Sequence, residues 1–347
     1  MVKKILYIGC TKPGQTSYER MTAMRDLGYE VSAINTCTPL GLSQRVWQKA
    51  PSTLGMFTDP LALNRSIREH MRRNSADIIW VDKGLRVKAS TLQWVKQGWP
   101  DCILVHLNPD DPFGQYRKGW KIFLEAIPHY DIHFVARTQN QGEFAEYGAR
   151  CTIPYDRSYS KHLHRPLTLS PEEQQQFEVP VGFVGSHAPD RADMIAFLID
   201  NGIPVAVYGN GWQNKSNWNT IKPHYRGPSR FGIEYTKIIN GMGIALHFLR
   251  HENRDEQDSR TFEIPACGVF MLAERSPKHE ELFLENREAV FFSSREELIE
   301  KVRYYLQHPE QAKEIAQAGL QRCLTSGYDH HSRMKSMLGI INRGEKV

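Results

Sequence analysis

Two carboxylates in the second half of the chain, Asp255 and Glu263, stand eight positions apart around a predicted helix start, with Arg260 and Thr261 between them. Eight residues is a little over two helical turns. A small-residue Ala266, Cys267, Gly268 and the apolar run 269–273 follow, which reads as a helix end leading into a buried strand. Carboxylates, a guanidinium and a helix start at a strand edge are the groups with which an open parallel sheet holds a polar ligand, because amides and helix dipoles converge there. Taken alone, Glu263 is equally a helix-start carboxylate that steadies the dipole, an effect of about 0.3 to 1 kcal/mol.

Three further loops offer chemistry. Strand 179–185 ends in Gly185, Ser186 and His187 and leads to a helix at Arg191, so amides and one guanidinium can point at a diphosphate. A tight turn with a surface arginine is the plainer account of that loop. Between Tyr208 with Gly209 and the segment 224–227, the main chain of Tyr225 or Arg226 could read a base edge while an aromatic stacks on it; simple packing accounts for Tyr225 as well. In the first half, the loop 10–16 carries Gly14, where the backbone could approach a phosphate, although an ordinary β-α turn has the same composition. The run 106–112 gathers His106, Asp110 and Asp111 after a strand, and either acid could serve as a general base on an acceptor hydroxyl. Asn-Pro and Asp-Asp-Pro are also turn formers. No metal is expected: His330 with His331, and His162 with His164, lack suitable spacing and further ligands.

Those loops need strands to hold them. Short apolar β-rich runs at 4–9, 30–35, 77–81, 102–107 and 132–136 alternate with helical patterns, and Met21, Met24 and Leu27 give one helix a buried face closed by Gly28. A polar stretch at 160–178 containing Pro166 and Pro171 interrupts the pattern and reads as the interdomain link. Strands at 179–185, 205–208, 243–248 and 269–273 then repeat it. The expected class is α/β, with two Rossmann-like domains. Domain 1 should cover 1–165 and domain 2 166–325, with a terminal amphipathic helix in 326–347 carrying Met334, Met337, Leu338 and Ile341.

A chain of 347 residues has room for two cores. Its net charge of +5 is mild, so polyanion binding is permitted without being indicated. Six scattered cysteines without a Cys-x-x-Cys pair suggest reduced, buried thiols in a cytoplasmic protein. No run has the pattern of a signal peptide or the length of a membrane span.

The runs 183–191, 207–212 and 259–268 resemble the sugar-nucleotide half of GT-B glycosyltransferases, and come nearest to their CgeB-like branch. The family's usual Glu-x7-Glu pattern is met by Asp255 at the first position and Glu263 at the second. The resemblance implies two Rossmann-like domains facing across a cleft, with the closing helix crossing back to the first. It implies transfer of a hexosyl or pentosyl group from a UDP- or GDP-sugar to an acceptor hydroxyl, retaining and metal-independent, with no other cofactor. Glu263 would hold the ribose diol, Arg191 would neutralise the leaving phosphate, Asp255 would lie near the donor sugar, and Arg260 and Thr261 would partner phosphate. The acceptor would be a glycan, a protein or a small molecule, with modified DNA a further possibility raised only by the basic charge balance. A nucleotide-sugar epimerase and a non-catalytic nucleotide-sugar-binding structural protein are the alternative readings of the same fold.

Overall fold

The computed structural model describes residues 3–37, 62–114 and 119–343. The chain folds as two compact units: Met1–Asp156 with Glu252–Arg254 and Met334–Val347, and Arg157–His251 with Asp255–Arg333. Each is built on a six-stranded sheet whose paired strands all run parallel.

In unit 1 the strands are β1 (Lys4–Gly9), β2 (Glu30–Asn35), β3 (Ile78–Asp82), β4 (Ile103–Asn108), β5 (Ile132–Val135) and β6 (Thr152–Pro154), in the order β2-β1-β3-β4-β5-β6. Fully buried runs such as Ile78–Asp82 require cover on both faces. Helices Leu63–Asn74 and Ala89–Gly98 supply Ile67, Met71, Leu92 and Val95 to one core. Helix Thr16–Asp26 and the last helix supply Met21, Met24, Met334, Met337, Leu338 and Ile341 to another. That last helix, His330–Arg343, begins in unit 2 and passes to unit 1 at Met334.

Unit 2 contains β7 (Val179–Val184), β8 (Val205–Tyr208), β9 (Tyr225–Gly227), β10 (Met242–His247), β11 (Phe270–Glu274) and β12 (Val290–Phe292), ordered β12-β11-β10-β7-β8-β9. The chain starts at β7, winds outward through β8 and β9, then returns to β10 and winds the other way. That reversal opens a crevice at the carboxyl ends of β7 and β10. The first unit divides at 156 and not 165 because Tyr159 packs into the unit 2 core and Ser158 Oγ lies 2.6 Å from His330 Nδ1. The proline-bearing link is also partly helical. Ser170 caps helix Pro171–Phe177 through a reciprocal capping box with Glu173.

One expectation is corrected at the edge of unit 1. Cys10 and Cys37 form a disulfide, with Cα atoms 4.9 Å apart, while the other four cysteines are free. The cause is register: Gly9 lies opposite Asn35 in the parallel pair β1 and β2, so the residues just past both strand ends meet. Among the described residues no helix is long and apolar enough to cross a membrane.

Candidate functional site

The β7/β10 crevice of unit 2 is lined by two arginines with different tasks. Arg191, at the start of helix Pro189–Asp200, is 3% exposed. Its guanidinium donates to the carbonyls of Leu249 (3.2 Å), Phe248 (2.9 Å) and Ser186 (3.3 Å). Burial, then the nearby Arg260 charge, pulls it down to about 10, so it remains a cation at neutral pH. Three of the five N–H groups of the buried Arg191 thus go to main-chain carbonyls, which fixes the loop that carries Ser186.

Arg260 is the cation left at the opening. It belongs to helix Arg260–Ala266, and its side chain retains 18% exposure. One NH1 hydrogen goes to the Val184 carbonyl at the end of β7 (2.9 Å), and Nε and NH2 engage Asp258, with Nε 3.1 Å from Oδ2. A guanidinium has five N–H groups, so donors remain for a ligand. A Cβ on Gly185 would meet both the Arg260 guanidinium and the Phe183 ring, so glycine permits this close approach.

Asp258 anchors this arginine. Its carboxylate also accepts from Arg260 N (2.7 Å) and from His247 Nε2 (3.0 Å), a fully buried imidazole at the end of β10. Burial alone would raise the Asp258 carboxyl, but Arg260 and His247 overrule it and hold it well below the usual range. Its oxygens are thus committed to Arg260 and His247. Below it, His279 Nδ1 donates to the Glu274 carbonyl (2.7 Å), which leaves Nε2 to accept from the Thr261 hydroxyl at 2.9 Å. Burial, then His247, pushes His279 down to about 3, in keeping with that neutral tautomer. Thr261 is wholly buried; its hydroxyl accepts from the Asp258 amide and its own amide donates to the Asp258 carbonyl (3.2 Å), which braces that loop.

Glu263 stands in the first turn of the same helix, 7% exposed. Tyr235 Oη donates to Oε2 at 2.6 Å, and His164 Nε2 lies 3.9 Å from Oε1. His164 Nδ1 accepts from the Ser160 amide (3.1 Å), so its proton is on Nε2, facing the carboxylate. Burial, then the Glu263 charge, raises the Tyr235 phenol far above its ordinary value and keeps it a donor. Asp255 lies in the loop before the helix, its amide on the Arg250 carbonyl and its carboxylate 3.8 Å from Arg157.

The loops after β7, β8 and β9 are laced together. Gly185 N donates to the Tyr208 carbonyl and His187 N to that of Asn210, both at 2.9 Å. Two of the three amides expected to face a phosphate are thus committed; the exposed Ser186 amide is the one without a protein partner among the described residues. Gly209, at φ +144°, lies so close that a Cβ would collide with the Gly185 carbonyl oxygen. Trp212 Nε1 donates to that same oxygen (2.9 Å), and the Tyr225 hydroxyl to the Gly209 carbonyl (2.9 Å). Tyr225 therefore braces the loop, with its ring against Trp218, while Arg226 is exposed on β9.

Within unit 1, the corresponding crevice between β1 and β3 is filled. Arg20 makes two hydrogen bonds to Asp82, at 2.8 and 2.9 Å, and Tyr7 Oη adds a third at 2.6 Å. Asp111 is saturated: Arg254 reaches Oδ2 at 2.5 Å and Oδ1 at 2.9 Å, with Asn140 and the Phe113 amide completing the set. Burial would raise its carboxyl; Arg254 overrules that and lowers it, so Asp111 is a poor proton acceptor. Asp110 is partly exposed and ion-paired with Lys83. His106 is buried against Phe123 and Tyr130, and burial followed by His133 drives it well below its usual value; it belongs to the core and not to a cleft edge. Gly14 turns the loop after β1 at φ +80°.

Two α/β units, each on a six-stranded parallel sheet with helices on both faces, define the class, and the fold is of the GT-B type. Residues 191–339 match the model of a family described as glycosyl transferase-like. Among solved structures, the chain is similar to sucrose-phosphate synthase from Thermosynechococcus elongatus, at 10% identity and TM-score 0.67, covering 98% of each chain. It is similar to Anabaena HepE in complex with UDP-glucose, at 12% identity and TM-score 0.65, covering 98% of this chain and 100% of the other. A glycosyltransferase from Rickettsia africae is similar at 13% identity and TM-score 0.65, covering 99% and 98%. A search of curated proteins returns no match.

Proposed function

We propose that unit 2 binds a nucleotide-sugar donor, a UDP- or GDP-sugar, and that the protein is a glycosyltransferase. The observation that carries the reading is the meeting, at the β7/β10 switch point, of the Arg260 guanidinium and the exposed Ser186 amide, with Glu263 in the first turn of Arg260's helix. The first two suit a diphosphate, and the free lone pairs of Glu263 suit ribose hydroxyls. The family match over 191–339 and the UDP-glucose complex of a similar fold support it.

In this reading Arg260 takes the leaving-phosphate role that the sequence had given to Arg191. As the sugar–phosphate bond lengthens, negative charge grows on the diphosphate, and a cation already fixed by Asp258 and His247 stabilises it without reorganising. The course would be the retaining, metal-independent one that the resemblance implies, in which the departing phosphate oxygen accepts the acceptor's proton on the same face. Asp255 would border the sugar, while Asp110, the more accessible of the paired acids in unit 1, would serve only an inverting course. Thermal shifts and slow donor hydrolysis across UDP-, GDP-, ADP- and dTDP-sugars test the reading. One donor should stabilise the wild type and leave Glu263→Ala unmoved; equal responses in both would refute it. Conversion of the donor sugar without any acceptor would favour an epimerase.

A further inference from the structure

A second polar site lies in unit 1. Helix Leu63–Asn74 places Arg65, Arg68 and Arg72 at spacings of three and four, hence on one face. Between it and the start of helix Ala89–Gly98 runs a groove of about 520 Å3, lined by these arginines with Glu69, Lys88 and Thr91. Four cationic side chains face one carboxylate there, and Arg65 already holds that carboxylate at 2.7 Å.

The groove is preformed. The Asn64 side chain donates to the Arg86 carbonyl and accepts from the Lys88 amide, both at 2.9 Å, which clamps the loop after β3 to the arginine-bearing helix. Arg68 donates from NH2 to the Ser90 carbonyl (3.3 Å), and the Arg68 and Arg72 guanidinium carbons lie 5.6 and 5.2 Å from the Trp94 ring centroid. Stacking on one indole holds both forks in place despite their mutual repulsion. Such crowding of like charge costs stability unless an anion relieves it.

Among the described residues, two buried polar atoms beside the groove have no partner: Arg68 Nε and Oγ1 of the wholly buried Thr91. Both atoms lie beneath the surface of the groove, which itself runs beside a helix start, where anions are favoured.

We propose that this groove is a binding site for a small phosphate-bearing ligand, recognised through a phosphomonoester or diphosphate group. Its volume is that of a small-molecule site and not of an extended polyanion track. The inference stands on unit 1 alone and does not depend on the donor reading of unit 2.

The test is calorimetric titration of the full chain with inorganic pyrophosphate, comparing wild type with Arg68→Gln/Arg72→Gln and, because Lys88 is exposed and safe to replace, with Lys88→Gln. Circular dichroism confirms that each variant is folded. Saturable binding that the double variant weakens at least tenfold, and Lys88→Gln weakens severalfold, is the expected result. Absence of saturable binding, or equal affinity in all three proteins, would overturn the proposal. Binding of duplex DNA without saturable pyrophosphate binding would overturn it in favour of a nucleic-acid surface.

Discussion

Replacing Arg260 by Gln separates its structural task from its proposed ligand task. The Asp258 side chain is 6% exposed and accepts from His247 as well as from the guanidinium. Removing the arginine alone leaves a buried carboxylate with its main charge partner gone, and truncating one member of a buried pair costs roughly 3–5 kcal/mol. Asp258→Asn removes the charge that requires compensation, so the double variant should recover part of that loss, with an interaction energy of about 2–3 kcal/mol. Affinity should behave differently. A hydrogen bond from a charged donor to a diphosphate contributes about 1.5–3 kcal/mol, so UDP should bind about ten- to a hundredfold more weakly to Arg260→Gln. The double variant should regain stability without regaining affinity. Urea unfolding and calorimetric titration with UDP measure the two quantities on the same samples. If the double variant binds UDP as the wild type does, Arg260 only holds Asp258, and the assignment of the leaving-phosphate role is refuted.

Two further outcomes follow from unit geometry. Asp190, then Glu274, raises His251 from 6.5 to about 10. A raised folded-state value means the bridge stabilises fully below pH 6.5 and is lost as pH rises towards 10. The melting-temperature gap between wild type and His251→Gln should therefore be widest below pH 6.5 and close by pH 10, and a gap that widens with pH would contradict the bridge. The Cys10–Cys37 disulfide closes a loop with a sequence separation of 27, for which chain entropy suggests about 3.5 kcal/mol. Reductant should lower wild-type stability towards that of Cys10→Ser/Cys37→Ser and leave the double variant unchanged; identical denaturation with and without reductant would argue against the bond.

The doubled β-α pattern was legible because buried parallel strands write near-continuous apolar runs, as in 78–81 and 269–273. Three-residue strands such as Thr152–Pro154 and Tyr225–Gly227 are too short to leave a periodic signal. Helix Pro171–Phe177 was missed although Ser170, Pro171 and Glu173 spell a capping box, because its polar body suggested a linker. At the site, Gly185, Arg260 and Glu263 were legible as strand-end and helix-start residues. The partners that decide their roles were not. His247 and His279 reach the Asp258 loop only through strand order, and nothing in the spacing of Arg191 says that three carbonyls will take three of its donors. The disulfide escaped for the same reason: two cysteines 27 positions apart meet only through the register of β1 and β2.

Ribose recognition by Glu263 is decided by the affinity of UDP against 2′-deoxy-UDP in wild type and Glu263→Ala. Wild type should prefer UDP by at least about tenfold, one lost hydrogen bond to a charged group, and the variant should not discriminate. Equal affinities in wild type, or a preference that survives in Glu263→Ala, would contradict it.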